Sequence, residues 1–203
     1  MVAGSPLPQP HSFSEPPTET LFTAVQLYLR ANRSDPTTMA TTQSDAPSPS
    51  TKPHAFNPPT VPVPAPSYSQ VCTTPILPTA KFITLAGQVG QDASNGDAIP
   101  ASFTAQVKIA YANVLACLKA VGATPRDIVH VRHYIVKETG DKETDGKDLM
   151  ERGWEDQWIA FMKREAGGHR PPDTVVGVAA LATRELLYEV EAWAIVNGIG
   201  GAE

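Results

Sequence analysis

Cysteine is scarce: Cys72 and Cys117 are the only two in 203 residues, and neither has a metal-ligand spacing such as CxxC. That excludes a disulfide-stapled scaffold and a thiolate zinc site, and it fits reduced thiols inside a cell. Also missing is any apolar run approaching the roughly 20 residues that span a bilayer. The N-terminus has no basic stretch leading into an apolar one. The expectation is a cytoplasmic protein without a membrane partner, with a mitochondrial leader as the weaker alternative, because the early Glu15, Glu19 and Asp35 stand beside only Arg30 and Arg33. Clustered cations are absent too, and a formal charge of -5 argues against a nucleic-acid partner, which would need a basic patch to displace counterions.

Proline is what the chain has in excess, and it is unevenly spread: 14 of the 20 prolines lie in residues 1–66. Such a stretch cannot sustain a helix or a ladder, so residues 1–66 read as a tail, mostly disordered. One short amphipathic helix is expected near residues 20–32, from the spacing of Leu21, Val25, Tyr28 and Leu29 after Thr18 or Thr20. The folded domain is expected over residues 67–197, with 198–203 as a flexible end.

Within that domain, Ser67 to Thr74 alternates and is stopped by Pro75, which predicts a first strand. Lys81 to Val89 predicts a second, with Gly87 marking a close backbone approach. Val107, Tyr111, Val114, Leu115 and Leu118 form one helical face, closed by Gly122. Asp127 to Val136 reads as a strand carrying His130, Arg132 and Tyr134 on one side. Met150, Trp154, Trp158, Phe161 and Met162 then define a second amphipathic helix ending at Gly167 and Gly168. Finally Asp173 to Leu181 and Leu187 to Val196 read as two strands joined in a hairpin. The order implies an α+β layer with helices on one face of a sheet.

On the last strand Glu189 and Glu191 share one face, with Tyr188, Val190 and Ala192 on the other. Two readings of these carboxylates stay open: a wet or cation-paired face, and a pocket in which a partly buried carboxylate handles protons or holds an amine. His169 in the Gly-Gly-His-Arg-Pro-Pro loop is a candidate mobile proton carrier. The His130, Arg132 and Tyr134 face suits a subunit interface or, as the alternative, a second site.

The Tyr-Ser-Gln start at residue 68, the Ala-Gly-Gln-Val turn at 86, the helix ending Lys-Ala-Val-Gly-Ala, the Asp-Ile-Val strand and the Tyr-Glu-Val-Glu-Ala run at 188 occur in an order that resembles the Rid family, also called YjgF or L-PSP. The resemblance covers residues 67–196. It implies a chorismate-mutase-like α+β fold with a mixed sheet and two helices on one face. It also implies a homotrimer built on a central barrel, with clefts between subunits for a small-molecule substrate and no metal or cofactor. The activity it implies is hydrolysis of reactive enamines and imines to keto acids and ammonia. The family's other label, endoribonuclease, gains nothing from an acidic chain.

Carried over by position, the family's tyrosine, glycine and carboxylate fall on Tyr68, Gly87 and Glu189. The family's substrate-gripping arginine falls on Asp173, its small hydroxyl residue on Ala86, its cysteine on Val175 and its second-helix asparagine on Glu155. An aspartate would repel the carboxylate that an arginine fork holds. The expected cleft is therefore acidic, with Asp173 and Glu189 as catalytic acid and base beside Tyr68, and Gly87, Ala86, Val175, Glu155 and Arg170 lining it. Arg170, Arg132 or Arg184 would have to replace the lost fork. Three functions follow as expectations: an imine or enamine hydrolase with altered substrate choice, a biosynthetic relative that isomerises, cyclises or dehydrates an intermediate, and a non-catalytic ligand-binding trimer.

Overall fold

A computed structural model of the chain describes residues 50–198. The expected helix near residues 20–32 lies outside the described residues. The strands are β1 (His54–Phe56), β2 (Val71–Thr73), β3 (Lys81–Thr84), β4 (Gln88–Val89), β5 (Ile128–Val136), β6 (Asp173–Val178) and β7 (Tyr188–Val196). The helices are α1 (Phe103–Ala120), the single turn α2 (Lys142–Asp145) and α3 (Trp154–Ala166).

Five strands make one sheet in the order β3-β7-β5-β6, with β4 also paired to β7. The centre is β5 against β7, antiparallel, with Val131 opposite Ala192 and Tyr134 opposite Glu189. The expected β6–β7 hairpin is not formed. Strands β5 and β6 are joined through α3 and pair in parallel, and such pairing requires a crossover of this length. With β6 on one edge of β5, β7 takes the other edge, and the turn after β6 crosses the end of β5 instead of closing a hairpin.

The helices cover one face of the sheet. Helix α1 starts at Ser102, whose hydroxyl accepts from the Ala105 amide, and stops where Gly122 takes a φ of 73°. Its inward face buries Val107, Tyr111, Val114 and Leu118, as the spacing predicts. Gln106 is also fully buried, and all of its amide is used: Nε2 donates to Pro100 O and Glu185 O, and Oε1 accepts from the Leu187 amide. Helix α1 is seated closely, because a Cβ on Gly90 would fall 2.4 Å from the Gln106 Cα. Helix α3 buries Trp154, Trp158, Phe161 and Met162. Met150 lies outside it, in a 3-10 turn, and is exposed.

The first strand begins earlier than Ser67. His54–Phe56 pairs antiparallel with β2 in a separate two-stranded sheet, and Lys52 donates to the buried Asp127 at 2.6 Å. Proline density hid this strand, because the ladder is only three residues long and fits between Pro53 and Pro58. Residues 67–70 precede β2 as a turn rather than as strand.

Candidate functional site

Alternation along β5, β6 and β7 sorts the candidate residues onto two faces. Register pairs Asp173 with Val131 and Val175 with His133, toward the helices. It pairs Glu189 with Tyr134 and Glu191 with Arg132 on the uncovered face. Directly paired residues point the same way. Asp173 and Glu189 are therefore on opposite faces of the sheet, and within one chain they do not form the expected acid–base pair. The reason is one of parity: β5, β6 and β7 lie close to where the sequence puts them, but the face on which each residue lands depends on the register with β5.

The uncovered face gathers Glu189, Glu191, Tyr134, Arg132 and Trp193. Tyr134 donates to Glu191 at 2.9 Å, Arg132 lies 3.8 Å from the same carboxylate, and its guanidinium stacks over Trp193 at 5.4 Å. Glu189 itself has no ion-pair partner among the described residues. Burial first, and the Glu191 charge second, push its carboxyl above the usual range. It lies directly over Gly87, where a Cβ would come within 1.8 Å of Glu189 Oε1. Only a glycine at 87 leaves room for that carboxylate. Ala86 is exposed, and its carbonyl accepts from Gln88 Nε2.

The covered face holds an arrangement that sequence reasoning missed. His133 is fully buried, and its Nδ1 lies 2.6 Å from the Tyr188 hydroxyl. Tyr188 donates to Tyr111 at 2.8 Å, and Tyr111 donates to Trp154 O at 3.3 Å. Since each hydroxyl has one proton to give, His133 Nδ1 must be the donor to Tyr188, and Nε2 carries the lone pair. That nitrogen faces Asp173 Oδ2 at 3.8 Å, and neither atom has a hydrogen-bond partner. Burial and then the Glu155 charge push Asp173 up to about 7, while burial and then the neighbouring His130 push His133 down to about 3. Between about pH 3 and about pH 7 the two are a neutral acid facing a neutral imidazole, not an ion pair. Glu155 Oε1 and Trp158 Nε1 are likewise buried without partners. The signal available in the sequence was a histidine in phase with Val131 and Ile135 on an otherwise apolar face.

The remaining candidates scatter. Tyr68 is half-buried in the turn before β2, and Val175 packs on the core. Arg170 and Arg184 are exposed on loops. His169 is not a mobile carrier: it is buried, and its Nε2 donates to Ile128 O at 2.7 Å. No group of three or more His, Cys, Asp or Glu suited to a metal ion occurs among the described residues, and no helix there is long and apolar enough to cross a membrane.

Comparison with known proteins bears on the same segment. The family model described as Endoribonuclease L-PSP matches residues 59–196. The chain belongs to the Rid family. A Rid-family protein of unknown function, YyfB from Yersinia pestis, is 28% identical, covers 71% of this chain and 99% of its own, and superposes with a TM-score of 0.58. The YjgF gene product of Escherichia coli is 25% identical over 57% of this chain and 81% of its own, with a TM-score of 0.46. A YjgF/YER057c/UK114-family protein from Mycobacterium tuberculosis is 27% identical over 64% and 86%, with a TM-score of 0.41. No curated protein matches the chain. Membership in the Rid family supports a role on small molecules, as an enzyme or as a binding protein. Of the positions carried over from the Rid pattern, Gly87 and Glu189 meet in space, while Asp173, Val175 and Glu155 lie beneath the sheet.

Proposed function

We propose that this Rid-family chain hydrolyses a small enamine or imine, with Glu189 as the working carboxylate. The observation that carries the reading is the seat of Glu189 over Gly87: a carboxylate with a raised pKa, no cation of its own among the described residues, and bare backbone beneath it. Such a group accepts a proton from water as the water oxygen attacks the C=N carbon. The proton then passes to nitrogen, the C–N bond breaks, and ammonia leaves as the carbonyl forms.

Substrate choice follows from the charges. Position 173 carries a buried acid turned away from this face, so it neither grips nor repels a substrate carboxylate there. Arg132 shares the face with Glu189 but is engaged by Tyr134 and Glu191. This favours a neutral or cationic imine over the amino-acid-derived anions that an arginine fork would hold. The cleft is completed by a second copy of the chain in a homotrimer.

The test is ammonia release from imines generated in place by an amine oxidase and, separately, by an amino-acid oxidase. The expected result is acceleration with the amine-derived imines, lost in Glu189→Gln. Acceleration that survives Glu189→Gln would remove the proposal.

A further inference from the structure

An open cleft of about 380 Å³ lies between β1 and the loop that follows α3; its lining carries the guanidinium groups of Arg126 and Arg170 and the imidazoles of His54 and His169, with no Asp or Glu. In a chain of net charge -5 this is a local reversal of sign. The four residues come from three separate parts of the chain, so neighbouring sequence does not explain it.

The cations are held in place, yet not neutralised. Arg126 donates from Nη1 to Pro53 O at 2.6 Å, a bond to neutral backbone that fixes the guanidinium and leaves most of its fork unused. Neither Arg126 nor Arg170 forms an ion pair among the described residues. His169 is pinned to Ile128 O, which fixes the loop that carries Arg170. Gly167 and Gly168 have φ of 60° and 81°, and the space a Cβ would occupy at each is open, so bare backbone is accessible there.

Helix α3 ends at this cleft, and the partial negative charge of a helix C-terminus would oppose an anion. Here it is blunted, because Met162 O accepts from the Gly167 and Gly168 amides and Ala166 O accepts from His169. Two guanidinium forks are suited to a tetrahedral or planar oxyanion.

We propose that this cleft binds the phosphate group of a small phosphorylated molecule, gripped by Arg126 and Arg170 beside the side-chain-free Gly167 and Gly168. The volume exceeds that of a phosphate group, which leaves room for the remainder of a monoester.

The test titrates the full-length chain with inorganic phosphate and with glycerol 3-phosphate at constant ionic strength, following amide NMR signals. Both probes should saturate, the monoester at least as tightly, with shifts centred on Gly167, Gly168 and Arg170. Arg170→Gln, which loses no side-chain hydrogen bond among the described residues, should weaken binding about tenfold, the worth of one charged contact. Arg126→Gln should weaken it as well, and Lys119→Gln, remote on α1, should leave it unchanged. Absence of saturation by either probe, exclusion of the monoester, or affinity indifferent to Arg170→Gln would each overturn the proposal.

Discussion

At the scale of single residues, the two carboxylates expected to act together differ in everything but type. Asp173 is raised to about 7 and His133 is lowered to about 3, so their contributions to stability run in opposite directions. A raised carboxyl gives stability that is complete below about pH 4 and lost as pH climbs through about 7. A depressed imidazole gives stability that is complete above about pH 6.5 and lost as pH falls toward about 3. Between about pH 4 and about pH 6.5 the slopes cancel, because folded and unfolded pairs each hold one proton. Asp173→Asn removes one slope only. Relative to the natural protein, that variant should lose stability as pH falls from about 7 to about 4, by about tenfold in the folding constant per pH unit, and run parallel to it above about pH 7. Urea denaturation across this range checks it, and parallel profiles for the two proteins would contradict it. Glu189 and Gly87 were legible as candidates because the family motifs mark them, and they meet in space. His133 was not, since only the folded sheet shows a histidine, two tyrosines and an aspartate converging from four elements.

At the scale of elements, two glycines separate function from packing. A methyl at Gly87 meets the far end of a flexible Glu189 side chain, whereas one at Gly90 meets the Gln106 backbone. Gly87→Ala should therefore leave the melting temperature nearly unchanged and abolish ammonia release. Gly90→Ala should cost about 1–3 kcal/mol by overpacking, readable in thermal melts. Gln106→Leu should cost a similar amount, about 1–3 kcal/mol, by leaving the buried Leu187 amide without an acceptor. Helices α1 and α3 and strands β5 and β7 were legible because each has a strong period and a clear stop. The hairpin misreading came from adjacency: β6 and β7 are neighbours in sequence, but the α3 crossover commits β6 to the far edge of β5. Strand β1 was hidden by prolines that flank it without entering it.

At the scale of the whole molecule, helices cover one face of the sheet and leave Arg132, Tyr134, Glu189, Glu191 and Trp193 on the other. In a Rid-family chain this face is the expected seat of a homotrimer, and the mass in solution should be three times the 21.7 kDa of the chain. Val176→Asp, on the same face opposite Tyr134, should dissociate it, as light scattering after gel filtration would show. The separation of the two acids by the sheet is the feature on which the proposed chemistry depends, and the family pattern alone, which puts both in one cleft, could not supply it. The most direct measurement is ammonia release by Asp173→Asn and Glu189→Gln side by side, at about pH 7.5, with folding of each checked by circular dichroism. The two-faced arrangement predicts that Asp173→Asn keeps turnover close to the natural protein and Glu189→Gln loses it. Loss of turnover in Asp173→Asn with turnover intact in Glu189→Gln would contradict it.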